Sequence, residues 1–386
     1  MNSRELKELV QRAKEAVAAD DLWTAALLYE RVHEVASAQG REDWARWALR
    51  EAAGCWSVSS EPDRGLSLLM HGLHEAGPPD QESYWLHALF VGYAMHLDVV
   101  VDDIDGQLDQ LSELAVDVWG DEGANTPFLQ GELLRRRGDW SGALGAYERA
   151  WADRETGGPG CSAAEIASWA ADAALRLARR EEAQRWTELC ALHARRVWER
   201  NHVAARHVNL ALFDNDAPAA RAASRALDAI MSRQRPIYRG VATLQAVHAL
   251  LLDPGQEDPA EPAHLTRLML DRHADEGALS FDVRYRWLRT RVCLELASLR
   301  YAAGIPPRDD IYYRQPDAMP TPDRIRLPDE MEKRLSVLHE ACDIALAHAR
   351  EADTRFGCSW REHEIADLRA RGEHIVHAPW RQGRSH

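Results

Sequence analysis

At 386 residues, the chain exceeds the ~250–300 residues at which one compact core usually stops growing, so it should fold as several domains or as an elongated array. Alanine, leucine, arginine and glutamate dominate and Phe occurs only five times, which favours helix over strand almost throughout and sets an all-α expectation. A net charge of −15 disfavours nucleic acid as a partner, and no stretch approaches the ~18–20 consecutive apolar residues that span a bilayer, so no membrane is expected either.

In chain order, MNSRELKELVQRAKEA reads as an amphipathic helix without a secretory hydrophobic region. DDLWTAALLYERV follows, in which Ala13, Ala16, Ala25 and Tyr29 alternate small and large positions. The same spacing recurs in TPFLQGELLRRRGDWSGALGAYERA, through Gly131, Leu134, Gly138, Ala143, Tyr147 and Ala150. Weaker copies run through Ala53, Trp56, Gly65 and Leu69, then Ala171, Ala174, Ala183 and Thr187, then Val208, Ala211, Ala220 and Ser224. The small residues Ala25, Gly65, Ala143, Ala183 and Ala220 step by 40, 78, 40 and 37, and the doubled step marks a degenerate unit around Gly92, Met95, Ile104 and Leu108.

This pattern resembles the tetratricopeptide repeat. The resemblance implies antiparallel helical hairpins stacked as a right-handed solenoid, with small residues where two helices approach closely and large ones filling the groove between hairpins. The chain departs from that family in lacking the proline that closes each unit and in a repeat longer than the standard ~34 residues, which implies longer helices and a distorted pitch. About six hairpins are expected over residues 1–235, the central one degenerate. Further helices should continue the array over 236–303, at 238–252, 262–274 and 278–303. Residues 304–328 carry six prolines and read as an extended connector. Pro328, Asp329 and Glu330 suit a helix start, and residues 329–386 should hold an irregular C-terminal helical region and a frayed tail.

Candidate chemistry is sparse. Asp102, Asp103 and Asp105 resemble the metal-binding aspartates of helical terpene synthases, but the opposing motif is incomplete, and capping of the helix carrying Ile104, Leu108, Leu111 and Leu114 accounts for the cluster. They stay the weak metal candidates, with no cofactor expected. His363, Glu364, His374 and His377 could approach one another near the C-terminus, but they read as surface groups. Six cysteines without a Cys-x-x-Cys pair predict neither disulfides nor a zinc site and fit a reducing cytoplasm. ETGGPGC at 155–161 reads as a linker. Trp23, Trp56, Trp140, Trp169 and Trp186 are assigned mainly to the core.

The first helix of each hairpin would line a concave groove, placing Asn125, Phe128, Glu132, Arg135 and Arg136 inward, with Lys7, Lys14, Asp172, Arg176, His202 and Asn209 at equivalent places. Arg135 and Arg136 also suit a helix C-terminus capped by Gly138. Residues 65–134 hold 13 acids and no Lys or Arg, a complement for a basic partner. No nucleophile elbow, phosphate loop or dinucleotide fingerprint occurs, so the expected role is a non-enzymatic scaffold or adaptor that binds a protein or peptide segment. The alternatives are a peptide- or metabolite-sensing regulator, which would act through a separate protein because the repeats start near residue 4, and a metal-dependent helical enzyme.

Overall fold

The computed structural model describes residues 3–19, 21–57, 61–74, 79–96, 103–231, 281–305, 310 and 328–377. Helices expected at 238–252 and 262–274, nearly all of the Pro-rich connector, the C-terminal tail and Asp102 lie outside the described residues. Among the described residues no strand occurs and one short 3-10 turn accompanies the α-helices. No helix among them is long and apolar enough to cross a membrane.

The chain divides into two compact units, one of Met1–Gln130 with Ala152–Gly160, the other of Gly131–Trp151 with Cys161–His386. The first holds α1 (Ser3–Ala18), α2 (Leu22–Ala38), α3 (Glu42–Ser57), α4 (Pro62–His74), α5 (Gln81–His96), α6 (Ile104–Trp119) and the start of α7 (Asn125–Arg136). The second holds the end of α7 with α8 (Trp140–Ala152), α9 (Ala163–Arg176), α10 (Arg180–His193), α11 (Val197–Phe213), α12 (Ala217–Met231), α13 (Phe281–Ala303), α14 (Pro328–Phe356) and α15 (Trp360–His377). Short connections make consecutive helices antiparallel, so alternate helices run the same way.

In the first unit, Asp21 caps α2 by accepting the Thr24 N–H. Ala13, Ala25, Ala26, Tyr29, Ala52 and Trp56 form one apolar cluster that ties α1, α2 and α3 together. Trp56 is fully buried, yet its indole N–H finds Glu30 at 2.6 Å, and Arg64 binds the same carboxylate while lying 4.4 Å over the Trp56 ring. Trp23, by contrast, is 43% exposed, so the tryptophans divide between core and surface. Asp103 takes a left-handed backbone (φ 55°) and accepts the Gly106 N–H at 3.1 Å, which is a cap at the head of α6. The glycine-rich stretch expected as a linker does more than connect: the Pro159 carbonyl accepts the N–H groups of Ala124 and Asn125 at the head of α7, where no intrahelical acceptor exists. Along α6, Asp105, Asp109, Glu113 and Asp117 recur every fourth residue and are exposed. Like charges at that spacing each cost ~0.2–0.5 kcal/mol.

In the second unit, α7 and α8 meet at Gly131. A Cβ there would lie 2.5 Å from Tyr147 Cε1, and the Tyr147 hydroxyl is pinned to Glu132 at 2.7 Å, so the ring cannot swing away. Gly138 (φ 78°) supplies the left-handed residue that ends α7. Farther on, α13, α14 and α15 share an apolar core of Val292, Leu296, Leu299, Leu338, Ile365 and Leu368, among others. Charge is buried here too: Arg300 pairs with Asp310, and Arg361 pairs with Asp353 at 3.0 Å where α14 turns into α15.

Gly131→Ala should destabilise the protein by about 1–2 kcal/mol, because overpacking outweighs the gain in helix propensity. Gly145→Ala on α8, where nothing lies within 4 Å, should stabilise it by roughly 0.5–1 kcal/mol. Urea unfolding of the two variants checks the contrast, and equal signs would refute the close-approach account. Asp109→Lys should raise Tm by about 2–4 °C, since it replaces two like-charge pairs on α6 with two opposite-charge ones; a thermal melt that drops would count against the stripe as a cost.

Candidate functional site

The charged side chains on the first helices of successive hairpins in the second unit gather into one recessed row. At the end of α7, Arg135 donates to both oxygens of Glu132, at 3.2 and 2.9 Å, and its guanidinium lies 4.4 Å over the Trp169 ring on α9. Asp172, one turn beyond Trp169, meets Arg206 of α11 at 2.6 Å and accepts a hydrogen bond from Asn209 at 3.3 Å. Arg206 also approaches the Trp169 ring, at 5.5 Å. Beyond Asp172, Arg176 reaches Glu364 of α15 at 3.0 Å, where Arg289 and the Tyr285 hydroxyl of α13 also converge, at 3.2 and 2.7 Å. His202 pairs with Ser168 at 3.1 Å.

Each protonation state follows from this neighbourhood. Burial would raise the Glu132, Asp172 and Glu364 carboxyls, but Arg135, Arg206 and Arg289 respectively lead the groups that pull them below the ordinary range, Glu364 to about 2. Burial, reinforced by Arg206, lowers His202 to about 4, so it is neutral. Glu165 goes the other way, pushed up to about 7 by burial and then by the negative charges of Glu132 and Glu199. Among the described residues no hydrogen bond or ion pair engages the Glu165 carboxylate. It stands three residues after the cap Ser162, whose Oγ accepts the Glu165 N–H at 3.3 Å and donates to Glu199 at 2.9 Å, but the Glu165 carboxylate returns no bond to the Ser162 N–H, so the capping box is half made.

Of the residues named from sequence, Glu132, Arg135, Asp172, Arg176, His202 and Asn209 come together in this row. Arg135 and Arg136 are 5% and 3% exposed, and Arg136 lies 5.6 Å over Phe356, with its carbonyl accepting the Trp360 indole N–H at 2.7 Å. Asn125 and Phe128 belong to the first unit, where Asn125 donates to the Tyr84 hydroxyl at 3.0 Å and Phe128 is buried. Lys7 is exposed, and Lys14 lies 6.0 Å over the Trp47 ring. Asp103 acts as the cap of α6, and Asp105 is an exposed member of the α6 stripe. His363 donates through Nδ1 to the Ser359 carbonyl, and His374 and His377 are exposed in the last turn of α15. Sequence reasoning passed over Glu165, Arg206, Tyr285 and Arg289. For two of them the signal was present: Glu165, Trp169, Asp172 and Arg176 share one face of α9, and His202, Arg206 and Asn209 share one face of α11.

The paired helices, the Gly131–Tyr147 approach and the groove row together settle the architecture. Among the described residues the chain is an all-α array of paired helices. No family model matches the sequence, and no curated protein matches it. Among solved structures it is similar to the P58(IPK) TPR domain, at 13% identity over 96% of this chain and 98% of that chain. The TM-score of 0.25 is too low for that structure to carry an argument about this chain.

Proton linkage separates Glu165 from its neighbours. A histidine lowered from 6.5 to about 4 makes the folded state bind fewer protons, so stability rises with pH across that window. A glutamate raised from 4.5 to about 7 makes it bind more, so stability falls as pH climbs through that range. Glu165→Gln should therefore match the parent near the lower bound and exceed it by about 2–3 kcal/mol at pH 8. Urea unfolding at pH 5 and 8 tests this; an equal difference at both values would show that Glu165 does not titrate there.

Proposed function

We propose that this protein is a non-catalytic binding scaffold whose second unit holds an extended segment of a protein partner along the groove faces of α7, α9 and α11. The observation that carries this reading is the recessed row itself. Successive first helices present Glu132 and Arg135, then Trp169, Asp172 and Arg176, then His202, Arg206 and Asn209, from neighbouring positions. Such a row offers a peptide alternating donors and acceptors beside an aromatic face. Held in place by their ion pairs, these side chains need little reordering on binding, which lowers the entropic cost of association. In the first unit, the exposed carboxylates of α6 make a complement for basic protein surface and disfavour nucleic acid.

The test is partner capture with the whole chain, followed by hydrogen–deuterium exchange of the chain with and without the captured partner. Slowed exchange in α7, α9 and α11 is the expected result. Protection that leaves these helices unchanged, or a chain that retains no protein, would remove the proposal. Charge reversal of Arg135 and Arg136 is a poor control, because both are buried and their reversal would leave Glu132 without its partner.

A further inference from the structure

We propose that the corner between α14 and α15 is an internal ligand of the groove: Glu364 holds Arg176 in the place that an acidic side chain of the partner segment takes, and α15 must let go of Arg176 before that segment occupies the whole row. The inference rests on the reading of the groove as a segment-binding site and names how that site is regulated.

The helices α7 and α9 of the row both end against this corner. The carbonyl of Arg136, the last residue of α7, is one of those that a helix end leaves without an internal donor, and it takes the indole N–H of Trp360 at 2.7 Å. The Trp360 ring then lies against Gly138, where a Cβ would come within 2.5 Å of it, so a larger residue at 138 would close this seat. The same ring meets Trp140 edge-on at 5.5 Å, and Phe356, the last residue of α14, lies 5.6 Å from the Arg136 guanidinium. Arg176, the last residue of α9, lies 5.1 Å over the Trp140 ring and donates at 3.0 Å to Glu364, one turn beyond Trp360.

What lies behind this contact has a core of its own. The buried apolar cluster of α13, α14 and α15 draws its members from these helices and Ile305, with Trp360 packed on its margin. The contact with α7 and α9 rests instead on an ion pair, a hydrogen bond and ring edges, and polar contacts of that kind between packed bodies permit relative motion. Exchanging one carboxylate for another also strands no charge. Of the donors to Glu364, Arg289 at 3.2 Å and the Tyr285 hydroxyl at 2.7 Å both stand on α13 and leave with it. Arg176 alone changes partner, and a guanidinium that gives up one carboxylate is matched best by another, in the same paired geometry. The pair of Asp172 and Arg206 differs, because both stand within the row, on α9 and α11, and no release of α15 parts them. The row thus keeps its middle fixed and offers one arginine, at its end, for exchange.

A phage-displayed library of random dodecapeptides, selected on the whole protein and in parallel on Glu364→Gln, tests this. The variant leaves the Tyr285 hydroxyl an acceptor and removes the charge that holds Arg176. Peptides from either selection should share an Asp or Glu, and its replacement by Asn or Gln should weaken binding about tenfold or more. The same peptides should bind Glu364→Gln about fivefold or more tightly than the parent, because a larger fraction of the variant is open. Hydrogen–deuterium exchange of the parent should quicken at residues 360–365 when peptide is added, while it slows in α9. That measurement needs no variant and decides the question if Glu364→Gln loses its fold. Peptides without a shared acid, equal affinity for the two proteins, or exchange in α15 that slows or stays unchanged would overturn the inference while the groove still binds segments. If neither selection enriches any peptide, the reading of the groove fails, and the internal ligand with it.

Discussion

The second unit depends on half-buried carboxylates meeting arginines from neighbouring helices. Asp172 on α9 is matched by Arg206 on α11, and Glu364 on α15 by Arg176 on α9 and Arg289 on α13. A pair of this kind gains little over a well-packed apolar contact, because desolvation offsets most of the attraction. Removing one member, however, strands the other in a poor dielectric, at several kcal/mol. The helices are thus locked in register by the penalty for separating charges, while alanines such as Ala167, Ala170 and Ala174 allow the backbones to come close. The same pairs keep this face of the helices polar.

This coupling explains which features were legible in the sequence. The alternation of small and large residues located the approach of Gly131 to Tyr147, because a helix pair that close leaves no room for a Cβ, and that constraint is local. The faces of α9 and α11 were legible for a similar reason: residues spaced by three and four must lie together on a helix. Placing Asp172, Arg176, His202 and Asn209 in one row therefore needed only the hairpin register.

What was not legible depends on encounters between helices far apart in the chain. Glu364 drew notice only beside His363, because nothing in its surroundings reveals that Arg176, 188 residues earlier, would reach it. Nor does a run of three arginines at the end of α7 disclose that Arg135 would stack on Trp169 while Arg136 packs over Phe356. Glu165 was missed for a different reason. Ser162 and Glu165 have the spacing of a capping box, and the local pattern alone makes the glutamate a satisfied helix cap. The fold makes only half of that box: the Glu165 N–H reaches Ser162 Oγ at 3.3 Å, and its carboxylate returns no bond.

An unpaired carboxylate beside two others lowers the stability of the folded state at neutral pH, whereas glutamine at the same place would not. Glutamate does have one local advantage, because a negative charge in the first turn of a helix is favoured by ~0.3–1 kcal/mol. Burial and the repulsion of Glu132 and Glu199 exceed that gain, since the carboxyl sits at about 7 and not below its ordinary value. The fold therefore carries a cost at Glu165 that no contact among the described residues offsets. Stability would therefore respond to pH near neutrality through this one side chain, while the arginine-paired carboxyls of Glu132, Asp172 and Glu364 are held below their ordinary range.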